Sequence, residues 1–205
     1  MTEQTTDINQ EPLDHLGNLD DFEGMLATVE EQQDIVVESS TPELTILYQD
    51  EYVVAIDKPS GLLVHRSWLD THATEFAVQK LRDQIGQHVY PVHRLDRPTS
   101  GVLLFVLDKD SARHLMQQFI DHTTEKRYLA VIRGHIEQGV LDYPLKYQYD
   151  KIADKKADQT KPAQDAITEY HCLAKTEIPI AVGPYEASRY SLVELVPKTG
   201  RKHQL

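Results

Sequence analysis

An α+β domain, with a mostly antiparallel sheet flanked by helices, is the fold class that this sequence predicts. Two observations carry that prediction. Short runs rich in β-branched and aromatic residues are separated by tight polar turns, as in LTILY, Gln-Asp-Glu, then YVVAID, which is the pattern of a hairpin. Interspersed among these runs are two stretches whose apolar residues recur at helical spacing, and hairpins mixed with helices make an α+β arrangement.

Taken in order, the folded texture begins at Leu44. After the first hairpin, KPSGLLVH (58–65) reads as a Pro-Ser-Gly turn and a third short strand. ATEFAVQKLRDQIG is helical, with Ala77, Val78, Leu81 and Ile85 on one side and Gly86 as its stop. HRLDRPTSG (93–101) leads into the strand GVLLFVL. DKDSARHLMQQFIDH then places Ala112, Leu115, Met116, Phe119 and Ile120 on one stripe of a second helix. KRYLAVIRG is a strand, residues 146–165 a polar, Lys-rich insertion read as a long loop, and AITEYHCL and RYSLVELVP two further strands. No internal repeat is present.

Charge divides the chain unevenly. Of the formal net charge of -12, all lies in residues 1–43, which hold twelve acidic and no basic side chains. Residues 44–205 balance 21 acids against 21 bases. The first 43 residues therefore read as an acidic, mostly disordered extension. Within it Leu16, Leu19, Phe22, Leu26 and Val29 fall along one helical face. That face suits either a docking helix or a transient one, since short isolated helices are marginal in water. The longest apolar run, Val102 to Leu107, is far short of the ~20 residues of a membrane span. A soluble, cytoplasmic protein is expected, and the single Cys172 excludes an internal disulfide.

Several chemistries lack their motifs. GxGxxG, GxxxxGK[ST], HExxH and GxSxG do not occur, and the ten histidines include no pair at ligand spacing backed by an acid. Neither a cofactor nor a metal is expected. What remains is the phrase HRLDRPTSG. Asp96 stands between Arg94 and Arg97, and neighbouring positive charge favours an ionised carboxylate, which serves as nucleophile or base. The arginines suit bidentate phosphate contact, or insertion where a nucleic-acid base has left its stack. The bland alternative is an Asp that caps the turn ahead of a strand, and the residues alone leave both open.

HRLDRPTSG resembles the signature H-R-L-D-x-x-T-S-G of the RluA-type pseudouridine synthases, which contains that family's catalytic Asp. KPSGLLVH resembles the family's Lys-Pro-x-Gly motif, EKRYLAVIRG its tyrosine-bearing strand, and VPKTGRKHQL the start of its T-G-R-x-H-Q-[IL]-R motif. The four occur in the family's order. WLDTHAT, RDQIGQHVYPVHRLDRPTSGVLLF, LDYPL and DKIADK are similar to a branch that acts on uridine 65 of certain tRNAs. That branch lacks the small basic RNA-binding domain of several ribosomal RNA enzymes; here an acidic segment takes its place.

The resemblance implies a pseudouridine-synthase-like catalytic domain over residues 44–205. It implies an isomerase that needs no cofactor, with tRNA as partner, no membrane or metal, and a monomeric state. Asp96 would be the catalytic carboxylate, Tyr128 the residue stacking on the target base, and Arg201 the partner of the carboxylate. Arg94 would fill the space vacated by the uridine, with His93, Arg97 and Lys58 as supports or phosphate contacts. For Tyr128 the alternative is core packing, for Arg201 a surface charge, and for Lys58 a solvated turn. Lys151, Lys155, Lys156 and Lys161 in the insertion suit a grip on the RNA backbone, or a plainly solvated loop. The family motif continues past its HQ[IL]R into a helix and strands, so a further piece beyond Leu205 is expected. A ribosomal RNA target, or an RNA-binding or chaperone module without catalysis, are the alternatives.

Overall fold

The computed structural model describes residues 42–65, 74–146 and 162–205. The helical face of residues 16–29, the tryptophan segment beginning at residue 68 and the four lysines at 151–161 lie outside them. The chain divides into two compact units, with the boundary between Thr123 and Thr124.

In the first unit, strands β1 (Thr45–Gln49), β2 (Val53–Lys58), β3 (Tyr90–Pro91) and β4 (Gly101–Val106) form one antiparallel sheet in the order β1-β2-β4-β3. The β1–β2 hairpin closes on Asp50, whose carboxylate accepts from the backbone N–H groups of Tyr52 (2.8 Å) and Val53 (2.7 Å). This is how an Asp imitates a backbone turn. On the central pair, Val54 and Ile56 lie opposite Phe105 and Leu103, and all four are fully buried. Helix α1 (Ala77–Ile85) ends at Gly86 with φ 73, its N–H returning to the Arg82 carbonyl. Helix α2 (Lys109–Ile120) starts at Asp108, which accepts from the Ser111 N–H at 2.8 Å. Its Ala112 and Met116 join Tyr90, Val92 and Val106 in the core on the other side of the sheet.

The expected third strand at residues 62–65 is not formed. Leu63 makes a single bridge to Phe76, and the Leu63 and Val64 carbonyls accept from the N–H groups of Ala77 (2.8 Å) and Val78 (3.0 Å). Helix α1 has no side-chain cap, so these carbonyls satisfy N–H groups that a helix start leaves unpaired.

The second unit is a separate antiparallel sheet of β5 (Tyr128–Arg133), β6 (Gln138–Asp142), β7 (Ile167–Ile178) and β8 (Ser188–Pro197), in the order β5-β8-β7-β6. The α+β class with antiparallel pairing stands, built among the described residues on two sheets rather than one. Strands β3 and β6 carry no strand pattern in the sequence: β3 is two residues long, and β6 mixes Gln, Gly and Asp with its apolar positions. Leu145 and Gln164 exchange two backbone hydrogen bonds of 2.9 Å, closing the base of the Lys-rich insertion.

One buried charge ties the two key loops of the first unit together. Lys58, the last residue of β2, lies on the same sheet face as Val54 and Ile56 and has no solvent exposure. Its Nζ donates to the carbonyls of Pro59 (3.0 Å), Leu62 (2.8 Å) and Arg97 (3.3 Å). The Arg97 carbonyl also accepts from the Gly61 N–H at 2.7 Å. Arg97 Nε returns a bond to the Gly61 carbonyl (3.1 Å), and Ser60 Oγ donates to the Pro98 carbonyl (2.8 Å). Gly61 sits at φ 91, a region nearly closed to other residues. Residues 58–62 and 97–98 are thus one latched pair of turns.

Burial lowers the Lys58 pKa from its ordinary 10.5, partly offset by attraction to Asp96. The unfolded chain therefore binds that proton more tightly. The proton-linked part of its contribution to stability is therefore greatest above 10.5 and declines as pH falls through the lowered folded value, while the ammonium keeps its three carbonyl partners at neutral pH. Replacing Lys58 with Met keeps most of the stem but leaves three carbonyls short of a donor, for an expected loss of about 2 kcal/mol at neutral pH. Urea unfolding measures this, and the part of the alkaline pH dependence due to Lys58 should vanish in the variant.

Candidate active site

HRLDRPTSG connects β3 to β4. Its first residue shows how the chain leaves the sheet. Val92 makes a last, long rung by donating to the Leu104 carbonyl (3.5 Å), but the Leu104 N–H is taken by the His93 side chain, at 3.0 Å from Nε2. A backbone N–H can only donate, so Nε2 accepts and the ring is neutral with its proton on Nδ1. The same imidazole stacks on Phe119 of α2, with centroids 5.0 Å apart and planes at 18°. Leu95 is buried, and the next residue, Asp96, is half-buried. The Thr99 N–H donates to the Asp96 carbonyl at 3.0 Å, closing a four-residue turn around Arg97 and Pro98. Gly101, at φ 118, starts β4 opposite Lys58.

Asp96 is thereby held at both ends, by the stacked His93 three residues before it and by the latched Arg97–Pro98 pair after it. The first unit brings together His93, Arg94, Asp96, Arg97 and Lys58. Of the readings open for Lys58, a support, a phosphate contact or a solvated turn, its burial fits the first: its three ammonium protons are committed to three carbonyls and it is sealed from solvent. It supports the turn and supplies a positive charge that attracts Asp96. Arg97 is exposed, with Nε on the Gly61 carbonyl; Arg94 is half-buried.

The second unit holds Tyr128 and Arg201. Tyr128 opens β5, half-buried and paired with Leu195. Its face alternates Tyr128, Ala130 and Ile132 inward, while Leu129 and Val131 are exposed. Arg201 follows β8, with its Nε on the Asp165 carbonyl (2.9 Å) and its N–H on Gln204 Oε1 (2.9 Å). The sequence marks Gln204 only as part of the VPKTGRKHQL segment, with no individual role. The signal available was its place three residues after Arg201, the spacing of a turn. Among the described residues no group of three His, Cys, Asp or Glu could hold a metal, and no helix is long and apolar enough to cross a membrane.

The His93 contact separates its two functions cleanly. His93→Phe preserves stacking on Phe119 but strands the Leu104 N–H, and should cost about 1–2 kcal/mol in urea unfolding. His93→Gln, whose amide oxygen can accept from that N–H, should recover most of the loss; equal losses would contradict the hydrogen bond's role.

Comparison with known proteins places this geometry. A family model described as RNA pseudouridylate synthase matches residues 52–205. The tRNA pseudouridine synthase C of Vibrio cholerae is 63% identical over 163 residues, covering 79% of this chain and 67% of that protein. The protein of the same name from Pasteurella multocida is 60% identical, with the same coverage. The chain thus spans about two thirds of the length of these relatives. Among solved structures, Human RNA Pseudouridylate Synthase Domain Containing 4 aligns with a TM-score of 0.54 at 29% identity, covering 87% of this chain and 64% of that one. Human RNA Pseudouridylate Synthase Domain Containing 1, at 22% identity and a TM-score of 0.62, covers 82% of this chain and 65% of that one and shares the fold. The chain belongs to the RNA pseudouridylate synthase family, a family of RNA-modifying enzymes.

Proposed function

We propose that this chain is a tRNA pseudouridine synthase, acting on uridine 65, with Asp96 as its catalytic carboxylate. The observation that supports it most is the identity of about 60% to proteins named tRNA pseudouridine synthase C across some four fifths of the chain. That stretch includes the latched turn that carries Asp96. In the reaction the N1–C1′ bond of uridine breaks, the uracil turns, and a C5–C1′ bond forms while a proton leaves C5 and one returns to N1. Substrate and product are isomers, so the balance needs no co-reactant.

In this reading Asp96 acts at the junction of ribose and base, as nucleophile or base. A rigid turn suits that task, because a carboxylate held in one position gains the advantage of proximity without ordering itself during the reaction. Tyr128 stacks on the uracil and assists loss of the C5 proton, and Arg201 pairs with the carboxylate. The uridine must leave its helix, at a cost of roughly a few kcal/mol, and Arg94 takes the vacated space. Arg97, exposed beside the turn, contacts phosphate, and the lysines of the insertion grip the backbone electrostatically. The protein works in the cytoplasm, as a monomer.

Asp96→Asn should reduce conversion of uridine in a tRNA transcript by at least about 10³-fold. Removing one negative charge should leave tRNA affinity unchanged or slightly higher. Wild-type turnover in this variant would refute the assignment. Pseudouridine mapping of tRNA and ribosomal RNA from cells lacking the gene tests the target: loss at tRNA position 65 is expected, and loss only in ribosomal RNA would move the enzyme to that substrate.

A further inference from the structure

Residues 198–205, after β8, are mostly polar, yet they are held by a dense set of hydrogen bonds centred on Gln204. The amide oxygen Oε1 accepts from Thr199 Oγ1 and from the Arg201 N–H, both at 2.9 Å. The amide nitrogen Nε2 donates to the Ile167 carbonyl (3.2 Å) and to Thr168 Oγ1 (3.0 Å) at the start of β7. A carboxamide has two lone pairs and two N–H groups on these atoms, so its capacity is filled. Its orientation is also determined, since the Arg201 N–H can only donate and the Ile167 carbonyl only accept.

The backbone around it is unusual. The Gln204 N–H donates to the Arg201 carbonyl at 3.2 Å, closing a turn in which His203 adopts φ 55. That left-handed region is uncommon for a residue other than glycine and persists where the surroundings impose it. Thr199 Oγ1 accepts from the Ile167 N–H at 2.9 Å, and Arg201 Nε donates to the Asp165 carbonyl. Arg201 is therefore fixed through its main chain by Gln204, which is itself bonded to the start of β7, and through its guanidinium by the Asp165 carbonyl just before that strand.

We propose that Gln204 is a positioning residue whose amide locks the 201–204 turn onto β7, so that Arg201 leaves the chain in a single direction. This rests on the catalytic reading of Arg201 given above. Simple anchoring of a chain segment would not require a four-bond clamp on the one residue that follows Arg201 by a turn, nor the left-handed backbone between them.

The test is a double-mutant cycle in steady-state turnover of a tRNA transcript, with Arg201→Ala, Gln204→Leu and the double variant. Gln204→Leu should lower kcat by about 10- to 100-fold with little change in KM, the scale of a small misplacement of a catalytic group. In the Arg201→Ala background it should cost nothing further, because residues acting as a unit are non-additive. Gln204→Glu is the second variant. Its carboxylate keeps both acceptor roles but faces the Ile167 carbonyl, so its activity relative to wild type should rise as pH falls and the acid regains a donor. Multiplicative losses in the cycle, wild-type kcat in Gln204→Leu, or a pH-independent Gln204→Glu ratio would overturn the positioning role while leaving Arg201 intact. Wild-type turnover in Arg201→Ala would instead overturn the reading of Arg201, and the inference with it.

Discussion

An ammonium group buried where no water reaches it organises the first unit. Lys58 closes β2 on the core face of its sheet, a place where the preceding alternation puts Val54 and Ile56. Burying a charge there is costly unless every proton finds a partner. The partners are carbonyls from two turns that are neighbours in space, one of them that of Arg97, 39 residues from Lys58 in sequence. The need to satisfy that charge forces the Pro-Ser-Gly turn against the Arg97–Pro98 turn, and the second of these carries Asp96. A structural obligation in the core thus sets the position of the carboxylate at the surface.

The two units fix the side chains proposed as catalytic by different physics. Asp96 sits on a turn braced by a buried charge on one side and by a neutral, stacked imidazole on the other. Arg201 is held by a neutral amide whose four hydrogen-bonding positions are all used. Both arrangements have directional hydrogen bonds and no slack, and neither relies on an exposed ion pair, which contributes little when solvated. Rigid presentation is what a reaction that must retain a detached base and rejoin it requires.

Much of this was legible in the residues. The β1–β2 hairpin, both helices with Gly86 as the first one's stop, and strands β4, β5, β7 and β8 follow from periodicity and turn chemistry. HRLDRPTSG stands out by its charged residues, whereas KPSG, which reads locally as a turn, and TGRKHQL are picked out by their resemblance to family motifs. The rest was decided by contacts that no local pattern carries. Residues 62–65 look like a strand, but their carbonyls were drawn to the unpaired N–H groups of a helix lacking a side-chain cap. Lys58 looks like a turn lysine until the register of β2 turns it inward. Gln204 and the His93–Leu104 bond depend on partners 37 and 11 residues away, and Asp96 alone could not be told from a capping residue.

Hydrogen exchange at a single amide tests the latch most directly. Gly61 lies on an exposed turn, so its N–H is protected only if it is truly bonded to the Arg97 carbonyl beside the buried Lys58 ammonium. The account predicts that this amide exchanges at least about 10³-fold more slowly than an unstructured one, with an opening free energy close to that of the adjoining β2–β4 pair. Exchange at the rate of a free loop amide would show that the turn bearing Asp96 is not held by Lys58, and would contradict it.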